Sequence, residues 1–536
     1  MTGAKPKLLL FSHICSPIYV TGAEKLLLSF AKELNRSFDC VLVVPREGAI
    51  AQAARQFGIP VETLDLPLCI ALYVALPHLE NELNDLIQSH AWAPLVELLM
   101  RHRPAYVWAN TCVHPLPAIA AGALGIPVIW ALMETINPNS HRAHAAGVIE
   151  TNSDRIVGIS RTVLEPLQGV ATPGKMLVLP PFINRDELLP DTWEAHRQRH
   201  RRSHGWGEHH RVAGYIASTI YPNKGLKEFV EAVLPIAAAD SRVRLLIVGN
   251  SSDDEYTASC RQLIRKAGLE DRAAWVRFAE RIEAVYPAMD VVIVPSLLKE
   301  GFGMAALEGM TFGKPVISFA SGGLSEIHEA TGSTEYLVAP GDVPGLRRLA
   351  QALLSDDGLR AETGRRNEMA ARLSFGIDAF RGRLDAFIGQ LPPPSDGQLF
   401  SSGLVRGSDP SVYWIEQAKK RPFPSDEHLR QHGFRFEDIM TIPDERLRKF
   451  PNGTPMFFVG EMQQPPSGPP AGAPPAKGRS TRRRRRASRS ERTRARLSRG
   501  RKKARTRSRA KPRARPGRRM RRAGRRRRAG AKRLRR

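Results

Sequence analysis

Apolar residues in this chain fall into short compact blocks. They occur at Lys7–Phe11, Cys40–Val44, Ala105–Asn110, Val128–Leu132 and Arg155–Ser160, with a shorter block at Ile59–Glu62. Each has the length expected of a strand buried on both faces. Between blocks the pattern turns helical, at Lys25–Leu34, in parts of Pro77–Met100 and at Ala118–Leu124. A proline-marked boundary at Met176–Pro181 and a polar Arg/His-rich stretch interrupt the series. It then restarts, with strands expected at Val212–Ala217, Val243–Gly249 and Ala274–Phe278 and helices at Leu226–Ile236 and Glu255–Ala267. Strands alternating with helices imply a doubly wound parallel sheet. The restart implies two of them, in residues 1–180 and 181–390.

The end of the second set carries the most chemistry. Asp290–Ser296 (D-V-V-I-V-P-S) reads as a strand, and Glu300–Glu308 (E-G-F-G-M-A-A-L-E) as a glycine turn leading into a helix over Met304–Thr311. A second strand at Val316–Ala320 runs into S-G-G-L-S-E-I, Ser321–Ile327, another glycine turn with Glu326 in the first turn of its helix. Ligands of open α/β sheets bind beyond the carboxyl ends of strands, and helix starts there can hold phosphate. One glutamate so placed reads as helix solvation. Two consecutive units bearing carboxylates at one edge point instead to a nucleotide-sugar site.

The run P-S-x-x-x-E-G-F-G-M-A-A-L-E-G-M-x-x-G-K-P-V-I, with G-G-L-S-E-I and Leu337–Asp342 (L-V-A-P-G-D), resembles the retaining GT-B glycosyltransferases of family 4, the glycosyl transferases group 1. The resemblance spans about Lys7 to Leu391 and is most specific in the second half. It implies two Rossmann-like domains facing a cleft, the first holding the acceptor and the second the donor. It also implies a final helix, here Arg365–Ile388, crossing back onto the first domain. Lys224 and Glu300 are the expected catalytic pair, Lys224 gripping the diphosphate and Glu300 lying against the donor sugar. Glu308 is expected on the ribose. Gly301, Phe302, Gly303 and Met304 form one phosphate cradle, and Gly322, Gly323 and Glu326 belong to a second. Ser218 can add a hydroxyl donor, and backbone near Phe278–Glu280 is expected to hold the base. Gly22 and Ala23, with Glu134, mark the acceptor and phosphate loops of the first domain.

The implied reaction needs no cofactor and no metal, the nucleotide-diphosphate sugar being a substrate. The chain departs from the family pattern at three places. Thr21 stands for a glycine, Met133 for a histidine, and Tyr215 for an arginine.

Charge changes the picture only at one end. Of the 81 Lys and Arg residues, 33 lie in Lys477–Arg536 with a single acid, Glu491, so the net +28 resolves into a tail and a remainder near −4. Such a tail cannot bury a core and is expected to be disordered. It is a candidate for contact with nucleic acid or an anionic membrane face through residues 477–536. Without aromatic residues it offers no ring for base stacking. Residues 391–402 read as a linker, 403–460 as a small hairpin and helix module, and 461–536 as a Pro/Gly spacer followed by the Arg-rich tail. Five scattered cysteines, none in C-x-x-C spacing, fit a reducing compartment. No apolar run reaches membrane-spanning length and Leu8–Phe11 is too short for a signal core, so the expected location is cytoplasmic, with contact at the inner membrane face through the tail.

The resulting expectation is a hexose transferred from a nucleotide sugar to a glycan, lipid-linked or protein acceptor. Two alternatives are a GT-B scaffold that has lost catalysis and binds sugar or nucleotide, and a polyanion-binding protein acting through its tail.

Overall fold

The computed structural model describes residues 5–17, 20–277, 279 and 281–457. The arginine tail, the spacer before it, the last residues of the 403–460 module and the expected base contacts at Phe278 and Glu280 lie outside the described residues.

The first apolar series builds a seven-stranded sheet. Its strands are β1 (Lys7–Phe11), β2 (Asp39–Val44), β3 (Val61–Thr63), β4 (Tyr106–Asn110), β5 (Val128–Leu132), β6 (Arg155–Gly158) and β7 (Met176–Val178). Their order is β3-β2-β1-β4-β5-β6-β7, every pair parallel. The stretch read as a boundary, Met176–Pro181, thus contains the seventh strand, whose side chains are only partly buried at the sheet edge. The second series builds six parallel strands, β8 (Arg211–Ile220), β9 (Val243–Ser251), β10 (Ala273–Val276), β11 (Val291–Val294), β12 (Val316–Phe319) and β13 (Leu337–Val338). They lie in the order β10-β9-β8-β11-β12-β13. In both sheets the order reverses beside the first strand, the switch point at which ligands of doubly wound folds bind.

The expected crossing helix is two helices. Asp357–Phe375 packs on the second domain, with Tyr336 Oη bonded to Thr363 Oγ1 at 2.9 Å. The chain then turns extended at Gly376, and Ile377–Ile388 packs on the first domain. There Phe380 stacks on Phe30 at 5.2 Å and on Phe182 at 4.2 Å, Phe387 meets Trp108 edge-on, and Arg381 pairs with Glu33 at 2.8 Å. The two crossovers between domains run side by side, because the Ile183 amide donates to the Phe375 carbonyl at 3.0 Å.

The segment read as a linker is pinned to the first domain. Tyr106 Oη donates to the Pro392 carbonyl, and the Ser395 and Phe400 amides donate to Ala105 and Leu124. Beyond it stands a third sheet, β16-β15-β14-β17, made of β14 (Gly403–Arg406), β15 (Val412–Glu416), β16 (Lys419–Pro422) and β17 (Met440–Thr441). Two short helices accompany it, Asp426–Gln431 and Asp444–Lys449. Trp92 Nε1 donates to the Ala418 carbonyl inside the junction, and Arg446 and Lys449 reach the carbonyls of Ala123 and Thr151. The module is therefore docked on the first domain through polar contacts at the ends of its helices. Among the described residues no helix is long and apolar enough to cross a membrane.

Candidate active site

The site begins with a sharp bend after β8. Tyr221 leaves the strand, Pro222–Lys224 forms one turn of 3-10 helix, and Gly225 opens the Leu226–Ala239 helix. The bend aims Lys224 across the sheet to the loop following β11. There Lys224 Nζ meets Glu300 Oε1 at 2.6 Å, both side chains mostly buried. The two residues are far apart in sequence, and only the parallel pairing of β8 with β11 brings their following loops together.

Glu300 is held by its own backbone. Its carbonyl accepts from the Gly323 amide at 2.8 Å, so the two glycine turns are laced together. Gly322 has φ 58°, and an added Cβ there would lie 2.4 Å from the Glu300 carbonyl oxygen, which is why that turn is a glycine. The lacing has a consequence for phosphate binding. The amides of Gly323, Leu324 and Ser325 donate to Glu300, Ser321 and Gly322, so these three N–H groups of the second expected cradle are already bonded. The first is intact. No side chain caps the Met304–Thr311 helix, whose N-cap is Gly303; the Ala306 amide already donates to the Gly303 carbonyl at 2.9 Å, which leaves the first-turn N–H groups of Met304 and Ala305. With Gly301 and Phe302 before it, this is the better anion seat.

Glu308 projects from the second turn of that helix. One carboxylate oxygen accepts from Tyr286 Oη at 2.7 Å. Burial raises its pKa, opposed by the Tyr286 bond and by the charge of Lys25 on the first domain. Lys25 follows Gly22 and Ala23 in the Gly22–Leu34 helix, so this coupling puts that helix start across the cleft from Glu308. Thr21, standing where the family pattern has glycine, is the N-cap. Its side chain accepts from the Glu24 amide while Glu24 accepts from the Thr21 amide, a reciprocal capping box. Ser218 is exposed at an irregularity near the end of β8, between Ile216 and Thr219.

On the first-domain wall, Glu134 follows β5. Its carboxylate accepts from the Cys112 amide at 2.8 Å and from Cys112 Sγ at 2.9 Å, and burial raises its pKa. A methyl group on Gly301 would lie 3.0 Å from the Met133 carbonyl oxygen, so the Glu300–Gly301 loop rests directly against this wall. Met133 is buried and presents backbone rather than an imidazole. Tyr215, standing for the family arginine, is buried against Phe229.

Glu326 is placed differently from its expected role. Its two oxygens accept from the Arg161 and Thr162 amides at 2.8 and 2.7 Å and from Thr162 Oγ1 at 2.7 Å. It caps a short first-domain helix. Ser160 Oγ donates to the Gly301 carbonyl beside it, and Arg161 pairs with Glu329. These contacts form a polar latch from the end of β6 to the loop bearing Glu300. Sequence reasoning missed Ser160, Thr162 and Tyr286, which lie outside the glycine-turn motifs. We expect Glu326→Ala to lower stability by about 1–2 kcal/mol, the worth of a lost helix cap. Hydrogen exchange at the Arg161–Leu164 amides should rise with it, and unchanged protection would disprove the latch. Among the described residues no three His, Cys, Asp or Glu side chains gather as metal ligands.

Two parallel doubly wound sheets, touching through the loops at their carboxyl ends over a Lys–Glu pair, define a GT-B protein. Residues 210–356 match the family described as glycosyl transferases group 1. The chain is 28% identical over 291 residues to the D-inositol 3-phosphate glycosyltransferase of Corynebacterium aurimucosum, covering 52% of this chain and 66% of that one. It is 34% identical over 148 residues to the 2-deoxystreptamine glucosyltransferase of Streptomyces kanamyceticus, covering 27% of this chain and 36% of the relative. The matches thus span just under two thirds and about one third of these relatives. In fold it is similar to Anabaena HepE, solved in complex with UDP and glucose, with TM-score 0.59 at 21% identity over 72% of this chain and all of the other. It is also similar to the sucrose-phosphate synthase of Thermosynechococcus elongatus, with TM-score 0.54 at 17% identity over 72% of this chain and 99% of the other.

Proposed function

We propose that the chain is a retaining glycosyltransferase that moves a hexose from a nucleotide-diphosphate sugar to a hydroxyl-bearing acceptor, without a metal. The observation that carries this reading is the meeting of Lys224 with Glu300 beside an uncapped helix start at the cleft. Glycosyl transfer from such a donor leaves a diphosphate whose charge grows as the bond to the sugar breaks. Fixed donors aimed at that charge are the largest catalytic term available. Lys224 supplies a cation, and the N–H groups from Gly301 to Met304 supply dipoles. Glu300 orients Lys224 before the donor arrives and then lies against the sugar. Glu308, steadied by Tyr286, keeps a carboxylate oxygen for the ribose hydroxyls.

The solved relative's complex with UDP and glucose supports a uridine donor, and the matched relatives support small polyol acceptors. A cytoplasmic setting is supported by five free, buried cysteines. The tail contacts with nucleic acid or membrane remain part of the proposal, to be tested by deleting residues 477–536. The test of the main reading is thermal unfolding with UDP-, GDP- and ADP-sugars. A true donor at a hundred times its Kd adds about 2.7 kcal/mol of stability. We expect a UDP-hexose to raise Tm by several degrees and the product to keep the donor's anomeric configuration by NMR. A flat response across all donors, or an inverted product, refutes the reading.

A further inference from the structure

The first-domain wall contains polar side chains with nothing to bond. Asn110 ends β4 and is fully buried, yet neither its Oδ1 nor its Nδ2 has a hydrogen-bond partner. Thr111 follows, with its Oγ1 also unpartnered and its backbone at φ 70°, a left-handed conformation costly for a β-branched residue. His114, three residues on, is 2% exposed with both ring nitrogens unpartnered. His13, beyond the end of β1, has an unpartnered Nδ1. These groups are neighbours. β1 pairs with β4 so that Phe11 lies opposite Ala109, which carries Ser12 and His13 along the same edge as Asn110 and Thr111. The His114 ring packs edge-on against Phe11, the strand residue that leads through Ser12 into His13.

One unsatisfied buried group costs about 1–3 kcal/mol, and native proteins leave few. Six unpartnered atoms lie together at the carboxyl ends of two central strands, and we read them as a socket for a hydrogen-bonding guest. The first domain is where the family resemblance puts the acceptor. Cys112, inside the same segment, holds Glu134, and Glu134 stands beside the loop bearing Glu300 and Gly301. The socket's own groups are an amide, a hydroxyl and two imidazoles. Burial keeps both imidazoles neutral, His13 at about 4 and His114 at about 3. A carboxylate lies in the same segment, that of Glu134 bonded to Cys112.

We propose that His13, Asn110, Thr111 and His114 bind two or more hydroxyls of an unphosphorylated polyol or sugar acceptor. This rests on the glycosyltransferase reading and narrows it. A phosphate ester would meet a socket with no cation of its own and a carboxylate beside it, whereas neutral hydroxyls both donate and accept, as these side chains require. An uncharged cyclitol or sugar fits this wall better than a D-inositol 3-phosphate type of acceptor.

The experiment offers myo-inositol, glucose and N-acetylglucosamine, each beside an inositol or sugar phosphate, with UDP-glucose in excess. UDP release and glycoside formation are read separately. We expect glycoside from at least one neutral acceptor, with kcat/KM at least tenfold above any phosphorylated member. Asn110→Leu and His114→Met should each lower kcat/KM for that acceptor about a hundredfold, leaving the KM for UDP-glucose and acceptor-free UDP release unchanged. Preference for a phosphorylated acceptor overturns the proposal, as does UDP release with no neutral acceptor used. So do variants that only lose thermal stability with acceptor kinetics intact, since the socket then holds internal water. UDP-glucose neither bound nor cleaved in any arm is instead a failure of the glycosyltransferase reading, and the acceptor proposal falls with it.

Discussion

Lys224→Ala should lower kcat by about 10²–10³-fold and leave the protein folded. That is the usual cost of removing one donor aimed at developing charge, about 3–4 kcal/mol of transition-state stabilisation. Glu300→Gln should fall in the same range, since Gln keeps the size but loses the charge that holds Lys224. The pair is accessible from the cleft, with side chains 24% and 15% exposed, so its net contribution to stability is about 1 kcal/mol or less. Thermal unfolding of either variant should therefore stay within a few degrees of the parent. Because the two residues touch, their effects should not add. The double variant should lose little more than the worse single one. Lys224→Arg restores charge with a planar, forked donor and should recover only part of the rate. Wild-type-like kcat in both single variants, measured on the donor found by thermal shift, would remove the pair from the mechanism.

The fold was legible because both sheets are parallel and buried on both faces. Their strands appear as apolar runs with no alternation to decipher, and β1 and β5 end where the pattern ends. β7 was not legible, since an edge strand with half-buried side chains and prolines after it carries no such run. The break at Gly376 was missed for another reason. Helical periodicity continues on both sides, and only the tertiary task of reaching two domains separates the halves.

The site was legible in its backbone and less so in its partners. Motif spacing located Lys224, Glu300 and Glu308, which the fold brings to one edge. It could not say that Glu326 faces the other domain, because a helix's first turn exposes several directions and the occupant depends on what packs there. Nor could it show that the amides of Gly323, Leu324 and Ser325 are already bonded to Glu300, Ser321 and Gly322. Hydrogen-bond competition of that kind is settled by distances between chain segments, which one-dimensional spacing does not carry.

Gly225 ties the fold to the catalytic lysine, and Gly225→Ala should damage both. Its φ is 74°, and a Cβ built there would sit 1.8 Å from the Pro295 carbonyl oxygen. That oxygen belongs to backbone entering the Glu300 loop and cannot swing aside as a side-chain tip would. Either the Pro222–Lys224 turn or the segment after β11 must move. The strain in φ alone costs about 1 kcal/mol or more for a non-glycine residue, and the clash adds to it. We expect a loss of about 3 kcal/mol in unfolding free energy, together with a fall in kcat/KM at least as large as that of Lys224→Ala, since the displaced turn carries the lysine with it. Gly225→Ala and Lys224→Ala thus differ in stability while agreeing in activity. If Gly225→Ala unfolds like the parent and keeps its donor-induced Tm shift, the bend is not what aims Lys224 at Glu300. The close approach of the two loops would then have to be maintained by the Leu297 and Leu298 amides, which donate to the Asn223 carbonyl at 2.9 and 3.3 Å.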